Sequence, residues 1–153
     1  MKNKKIMKME KDIPSDLEFS TFKVGEGLFG INILDIQEIN RLSDITSVPQ
    51  SPNYIDGILN LRGKIVSIIN LGKKLELKPV QKSKNSRIII IDSQEEYIGL
   101  LVDDICDVVA TCHNDIEPAP PNIGGVKGHY FQGVLKTEKK LVGILDVNEV
   151  LVS

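Results

Sequence analysis

Residues 54–75 read YIDGILNLRGKIVSIINLGKKL, and residues 130–151 read YFQGVLKTEKKLVGILDVNEVL. Aligned at a shift of 76 positions, the two stretches share seven identical residues among 22. Five further positions pair one apolar residue with another. Unrelated sequences of this length share far fewer identities, so the chain contains an internal repeat.

A second match upstream extends the repeat. Residues 29–39, FGINILDIQEI, align with residues 98–108, IGLLVDDICDV, at a shift of 69. The larger downstream shift means that the second copy carries about seven extra residues between the two matches. We expect them in the segment 117–129, EPAPPNIGGVKGH, whose Pro and Gly content excludes a continuous helix or a central strand.

Both copies have the same predicted plan of strands and a final helical turn. Apolar runs ending in turn residues predict strands at 20–24, 28–33, 58–61 and 65–70, and at 87–92, 97–102, 134–136 and 141–146. Short helical turns follow at 71–77 and 147–152. Asn70 and Asp146 precede these turns and are the expected N-cap residues.

The composition favours an all-β fold with short helices. The chain has 21 Ile and 13 Val against two Ala, and β-branched residues prefer strands. Four or five strands in each half favour closure into a small barrel, which removes exposed sheet edges. We therefore predict two packed β-barrels, at residues 17–85 and 86–153, after a disordered N-terminal tail at residues 1–16.

Charge and hydropathy exclude several classes of partner. Residues 1–16 hold five Lys and three acids, and the remainder holds 14 basic and 18 acidic residues. An acidic body with seven aromatic residues does not predict nucleic-acid binding. The longest aliphatic run, 88–91, is too short for membrane insertion. The N-terminus lacks the apolar region of an export signal, which favours a cytoplasmic location.

The sequence contains little that predicts catalysis. It has no phosphate-binding loop, dinucleotide-binding glycine motif, zinc-protease motif or nucleophile elbow. Cys112 and His113 could form a metal site with Asp115 or His129, but their spacing matches no zinc pattern. The acids at 103, 104 and 107 lack the spacing of a calcium loop. We expect no catalytic residue, no metal and no cofactor.

One corner differs between the two copies in a way that indicates binding. The first hairpin turn has the sequence Asn60–Leu61–Arg62–Gly63, whereas its counterpart at 136–139 is polar throughout. An ordinary turn glycine beside a solvated Arg is the simplest interpretation. The alternative is a binding corner, because protein interfaces favour Arg beside apolar groups. The difference between the copies favours binding.

The segment 33–39, ILDIQEI, is the other candidate surface. On a helical turn, Ile36 and Ile39 would form one apolar edge with Glu38 beside it. We expect Ile33 and Ile39 to face the core. Ile36 and Glu38 are candidates for a partner surface.

These residues resemble the CheW family of chemotaxis coupling proteins. The similarity is carried by YIDGILNLRGKIVSIINL at 54–71 and FGINILDIQEI upstream, and it extends over residues 18–151. The resemblance implies two SH3-like five-stranded β-barrels without catalytic activity. It also implies that the chain is an adaptor between chemoreceptors and the histidine kinase CheA, in arrays at the inner face of the membrane.

The resemblance further implies where partners bind. The chemoreceptor's cytoplasmic hairpin tip would dock in the groove between the barrels, and the regulatory domain of CheA would contact the first barrel. The resemblance also leaves open whether the chain associates with itself into rings. Matched by motif, the partner-binding residues are Ile33, Ile36, Glu38, Ile39, Gly57, Asn60, Leu61, Arg62 and Gly63, with Leu100 and Val102 on strands of the second copy.

Two other function classes remain open from the sequence. The same domain occurs in CheV adaptors and at the end of CheA, so the chain could be such a regulatory domain. A small hydrolase or metal enzyme is the third class, and it would require stoichiometric metal or a pH-dependent activity.

Overall fold

The computed structural model describes residues 16–92, 96–138 and 140–152. Within these ranges the chain is mostly β-strand, with two short α-helices and three single-turn 3-10 helices. The strands are β1 (Leu17–Val24), β2 (Gly27–Asn32), β3 (Ile36–Arg41), β4 (Ile55–Leu61), β5 (Lys64–Asn70), β6 (Arg87–Ile91), β7 (Ile98–Val102), β8 (Asp104–Thr111), β9 (Asn122–Ile123), β10 (Val126–Lys127), β11 (Phe131–Lys136) and β12 (Leu141–Leu145). The α-helices are α1 (Leu71–Lys74) and α2 (Val147–Leu151), and the 3-10 helices are Ile33–Asp35, His113–Asp115 and Gly128–Tyr130.

Ten of the strands form two five-stranded sheets. Sheet A has the order β11-β12-β2-β1-β8, and sheet B has the order β3-β6-β7-β5-β4. The two-residue strands β9 and β10 form a separate hairpin within the predicted insertion. The predicted all-β fold with short helices and two five-stranded units is confirmed.

Each sheet combines strands from both copies of the repeat. Sheet A takes β1 and β2 from the first copy and β8, β11 and β12 from the second, whereas sheet B takes β6 and β7 from the second and the rest from the first. The ranges 17–85 and 86–153 therefore do not correspond to the two sheets. Sequence periodicity identifies equivalent strands, but it does not determine which copy supplies a strand's neighbours.

Strand pairing reproduces the repeat residue by residue. Ser67 pairs with Ile98 in the parallel β5–β7 ladder, and the equivalent Gly143 pairs with Phe29 in the parallel β12–β2 ladder. The antiparallel ladders have equivalent irregularities, between Ile55 and Gly57 and between Phe131 and Gly133. The two sheets thus have the same arrangement of strands. In each sheet, the first two strands of one copy pair with the remaining strands of the other copy.

The predicted N-caps are confirmed. The Asn70 side chain accepts a hydrogen bond from the Lys73 backbone N–H at 3.3 Å, and Asp146 accepts from the N–H groups of Asn148 and Glu149 at 3.0 and 3.3 Å. Both helices are shorter than predicted. The first helix ends at Lys74, since Glu76 has a positive φ of 62° that stops helical propagation.

One main hydrophobic core spans both sheets. It joins Phe22 and Ile31 of sheet A to Ile68 and Leu101 of sheet B. A smaller cluster around Phe19 and Leu135 lies in sheet A. Because each half alone would be small for an independent core, the shared core stabilises both sheets together.

Leu100 and Val102 are core residues rather than contact residues. Both side chains are 0% exposed. Their strand, β7, lies inside sheet B between β6 and β5, and all five of its residues are buried. The sequence expectation that they face a partner groove is corrected by this burial.

The predicted N-terminal tail at 1–16 lies outside the described residues except for Asp16. The Asp16 carboxylate accepts a hydrogen bond from the His113 backbone N–H at 2.8 Å, at the beginning of the 3-10 helix after β8. Among the described residues, no helix is both long and apolar enough to cross a membrane.

Candidate functional site

The turn between β4 and β5 has an unusual residue at its first position. Leu61 and Lys64 form the closing pair, so Arg62 and Gly63 alone make the turn, with φ values of 50° and 83°. Two consecutive left-handed residues fit a type I′ turn, where Asn-Gly and Gly-Gly are preferred. Placing Arg in this conformation costs about 1–2 kcal/mol.

Asn60 supports this turn from within the hairpin. Its side-chain oxygen accepts a hydrogen bond from the Gly63 backbone N–H at 3.0 Å. This contact explains why an exposed amide residue lies one position before the end of β4. Asn60 therefore shapes the corner in addition to being exposed there.

Arg62 reaches across to β3. Its guanidinium donates a hydrogen bond to the Glu38 carboxylate, and the two groups form an ion pair. The Arg62 hydrogen bond and a second one from Asn40 hold the pKa of Glu38 below its ordinary value. We use the name Arg62 corner for five residues: Glu38 of β3, Asn60 and Leu61 at the end of β4, and the turn residues Arg62 and Gly63.

Stability alone does not explain the Arg62 corner. Arg62 is mostly exposed, and exposed ion pairs contribute little to the stability of folded proteins. At best the pair offsets the backbone strain of the turn. A side chain kept at a strained, solvent-facing position is better explained by a contact with another molecule.

Gly57 supports the corner from inside. A Cβ on Gly57 would lie 2.2 Å from the Thr46 carbonyl oxygen, so no side chain fits. The neighbouring Ile58 and Thr46 exchange two backbone hydrogen bonds of 2.9 and 2.8 Å. These contacts hold the segment after β3 against β4, so Gly57 is a buried packing residue that brings the two edges of sheet B together.

The segment 33–39 is not one helical turn. A 3-10 helix covers Ile33–Asp35, with Asn32 capping it through a 2.9 Å hydrogen bond from the Leu34 backbone N–H. The chain then extends as β3, because β-branched residues favour strands and pairing with β6 is available. A register irregularity between Ile36 and Glu38 lies in this pairing.

The isoleucines of this segment differ in exposure. Ile36 is partly buried and packs on the main core, and Ile33 is also partly buried. Ile39 is 39% exposed, which corrects the expectation that it faces the core. It follows Glu38 on β3, where successive side chains lie on opposite faces of the strand.

Sequence reasoning missed two exposed apolar residues. Leu34 is 79% exposed at the tip of the 3-10 helix, and Ile65 is 56% exposed just after the corner. A signal for Leu34 was present in the repeat, since its equivalent is Asp103 and a charged residue indicates a solvent-facing position. Ile65 has no such signal, because its equivalent is Leu141.

A second polar site lies where the two copies meet. Asp35, Asp92 and Asp146 line a cavity of about 310 Å³ beside the start of α2. Burial, and then the negative charges of Asp146 and Asp92, raise the pKa of Asp35. The Asp92 backbone N–H donates to the Asp35 carbonyl at 2.8 Å, which fixes two of the acids side by side.

The residues considered for metal binding do not converge. In the described part of the chain, no group of three or more His, Cys, Asp or Glu side chains could hold a metal ion. His113 instead contacts Asp16 at 3.3 Å, and both side chains are mostly exposed. Cys106 and Cys112 are both free thiols.

Comparison with known proteins finds relatives over most of the chain. The CheW-like domain model matches residues 18–153. Chemotaxis protein CheW of Treponema pallidum is 31% identical over 137 residues, covering 87% of this chain and 81% of that protein. Chemotaxis protein CheV3 of Helicobacter pylori is 29% identical over 129 residues, covering 82% of this chain but 42% of that protein.

A solved structure shows the same fold. The crystal structure of the scaffolding protein TtCheW from Thermoanaerobacter tengcongensis matches with a TM-score of 0.83 and 34% identity. The match covers 92% of this chain and 90% of that one. With a family model that covers nearly all of the sequence and a structural neighbour of this similarity, the chain belongs to the CheW family.

Proposed function

We propose that this protein is a non-enzymatic adaptor that couples chemoreceptors to the histidine kinase CheA. The Arg62 corner is the observation that carries the proposal. It presents a strained, exposed Arg in an ion pair, and the exposed apolar side chain of Ile65 lies opposite Asn60 in the β4–β5 ladder. A central charged or aromatic anchor with apolar neighbours is the usual composition of a protein-binding hot spot.

The corner is the proposed contact for the regulatory domain of CheA. The proposed contact includes the Arg62 corner and the exposed Ile39 of β3, and Gly57 supports it from inside. The proposed receptor contact is the region of Ile33 and Ile36, next to the exposed Leu34. Coupling would then follow from holding two partners at high effective concentration in one complex.

The names of relatives support this proposal. TtCheW is called a scaffolding protein, and the Treponema pallidum relative is called a chemotaxis protein. We extend those roles to this chain, with a cytoplasmic location in receptor arrays at the inner face of the membrane. Ring formation by self-association is part of the same proposal.

A regulatory domain of the CheV type, or one terminal to CheA, is the second candidate. It is favoured by the match to CheV3 and by the sharing of this domain among such proteins. The chain spans less than half the length of CheV3 but most of the length of the Treponema pallidum CheW. We place the coupling function first, because the relatives called CheW are 31% and 34% identical to this chain and CheV3 is 29% identical.

The decisive experiment is a three-component binding assay. The chain is immobilised and presented with a receptor cytoplasmic fragment, with CheA, and with both together. We expect each partner to bind alone and all three to co-purify, with receptor-stimulated kinase activity in the ternary mixture. Binding of neither partner, or a ternary mixture without stimulation of the kinase, would contradict the adaptor function.

A further inference from the structure

The extra residues of the second copy build one wall of a groove. The hairpin β9–β10 closes with Gly124 and Gly125, at φ values of 57° and 91°, which is the same type of two-residue turn as at Arg62. The hairpin has no counterpart in the first copy. It is thus the one large departure from the repeat within the described residues.

The hairpin is anchored against the body of the protein. Val126 is 1% exposed in the main core, and the Gly128 backbone N–H donates to the Pro121 carbonyl at 2.7 Å. The Lys127 ammonium lies 3.5 Å from the Glu76 carboxylate, next to the segment that follows α1. These contacts fix the hairpin as a rigid wall.

The groove lies between this hairpin, the β1–β2 turn, residues 77–78 and the start of β12. Its volume is about 910 Å³, within the range of sites that bind ligands or peptide side chains. Four partly or largely exposed aliphatic side chains line it, namely Leu28, Leu77, Ile123 and Leu141. Its floor is therefore apolar and open to solvent.

Three lysines surround this apolar floor. Lys23, Lys78 and Lys140 line the groove and are exposed, and none of them forms an ion pair with a described residue. Glu26 also lies in the lining, whereas the nearby Asp103 carboxylate accepts a hydrogen bond from the Gly25 N–H at 2.6 Å. The lining residues thus carry three positive charges against one negative charge, with Asp103 and Asp104 next to Lys23, on a chain whose net charge is −2.

The equivalent place in the first copy is built differently. The counterparts of Lys140 and Leu28 are Lys64 and Tyr97, and the Lys64 ammonium lies 4.6 Å from the centre of the Tyr97 ring. That lysine therefore has an aromatic partner within the chain. The first copy lacks both the hairpin wall and a lysine without a partner at this place.

We propose that this groove binds an acidic segment of a partner protein that carries two or three aliphatic side chains. The aliphatic side chains would occupy the floor formed by Leu28, Leu77, Ile123 and Leu141, and carboxylates would pair with Lys23, Lys78 and Lys140. The groove is lined by sheet A, the insertion and residues 77–78, and none of its lining residues belongs to the Arg62 corner of sheet B. The two surfaces are therefore separate.

Charge complementarity and the apolar floor together select this occupant. Nucleic acid would require a polar, positively charged floor along the phosphate backbone, which the aliphatic lining does not provide. The lysine-rich residues 1–16 of this chain have the same charge sign as the lysines of the groove. An acidic, aliphatic segment satisfies both the charges and the floor.

The test uses the full chain and a defined probe. A fluorescein-labelled twelve-residue peptide of alternating Glu and Leu is titrated by anisotropy, and backbone NMR shifts map its position. A peptide with Lys for Glu and another with Ser for Leu are the matched probes. We expect the Glu-Leu peptide to bind at the groove, more weakly at high salt, and to bind more tightly than both matched probes.

Protein variants separate groove binding from general attraction. The double variant Lys78→Glu with Lys140→Glu should weaken binding of the Glu-Leu peptide about tenfold, because two contacts between lysine and carboxylate are lost. Leu141→Ser should weaken it about threefold through lost apolar burial. Lys82→Glu and Val108→Ser are the controls, since Lys82 is an exposed lysine and Val108 an exposed aliphatic residue, and neither lines the groove.

Each possible result either supports or contradicts binding at the groove. Groove shifts that are lost in the Lys78/Lys140 and Leu141 variants but kept in both controls support the proposal. Equal binding of the Lys-Leu peptide, shifts outside the groove, or equal loss in the control variants would overturn it. Thermal unfolding of each variant confirms that a loss of binding is not a loss of fold.

Discussion

Glu38 and Arg62 join the two ends of one sheet. Glu38 lies on β3 and Arg62 follows β4, and these strands are the first and last in the order of sheet B. The Thr46–Ile58 bridge lies on the same side and brings the segment after β3 to β4. The ion pair therefore marks the place where the sheet curls on itself, and it presents the candidate contact there.

Replacing Arg62 should reduce coupling much more than stability. In Arg62→Ala we expect receptor-stimulated kinase activity to fall about tenfold or more, as for the loss of a hot-spot residue. The free energy of unfolding should change by less than about 0.5 kcal/mol, because a strained residue and an exposed ion pair are lost together. A reconstituted kinase assay and thermal unfolding measure the two effects.

Glu138→Ala is the matched control, since Glu138 has the equivalent place in the second copy's turn. A charge exchange, Glu38→Arg with Arg62→Glu, distinguishes a structural role from a contact role. It should restore the ion pair but not the kinase coupling. Recovery of coupling in the exchanged protein would show that the pair acts only within the chain.

Gly57 should tolerate no side chain. The added methyl group of Gly57→Ala would lie 2.2 Å from the Thr46 carbonyl oxygen, so the backbone must shift. Overpacking of this kind typically costs about 1–3 kcal/mol. Urea unfolding measures the loss, and Gly25→Ala is the control, since Gly25 also has a positive φ but no atom within 4 Å of its Cβ position. Equal losses of unfolding free energy at both positions would show that backbone strain, rather than the clash with Thr46, causes the destabilisation.

Much of this fold could be predicted from the sequence, because the internal repeat shows which strands of the two copies are equivalent. The shifts of 76 and 69 predict the equivalence of Ser67–Ile98 with Gly143–Phe29, and both pairs occur. The exchange of strands could not be predicted, because swapped and unswapped pairings bury the same apolar faces. Sequence periodicity does not show which copy supplies the neighbouring strand.

The candidate site was predicted in part for similar reasons. Arg62 was found because its equivalent, Glu138, belongs to an ordinary polar turn. A helical turn would place Ile36 and Ile39 on one edge, whereas a strand places residues three apart on opposite faces, so Ile39 is exposed. Leu100 was misassigned to the surface because an apolar strand run does not show whether the strand is central or at an edge.

Neutralising Asp35 should stabilise the protein at neutral pH. Its pKa is raised, so the folded state penalises its charged form. The penalty is absent below the ordinary Asp pKa of 3.8, grows as the pH rises through the raised pKa, and is complete above it. Asp35→Asn should therefore unfold at a higher temperature than the parent at pH 7, and the difference should vanish near pH 3. A lower melting temperature at pH 7 would contradict this, and Asp44→Asn is the exposed control.

The exchange of strands predicts that neither half of the chain folds alone. A fragment of residues 17–85 keeps β1 and β2 without the rest of sheet A, and its β3, β4 and β5 lack the two central strands of sheet B. The fragment 86–153 lacks the strands that the first fragment supplies. The main core, which joins Phe22 and Ile68 to Leu101 and Leu145, is divided between the two fragments. We expect each fragment to give a poorly dispersed NMR spectrum alone and an equimolar mixture to recover the dispersed spectrum of the intact chain. A dispersed spectrum from either fragment alone would contradict the dependence of each sheet on strands from both copies.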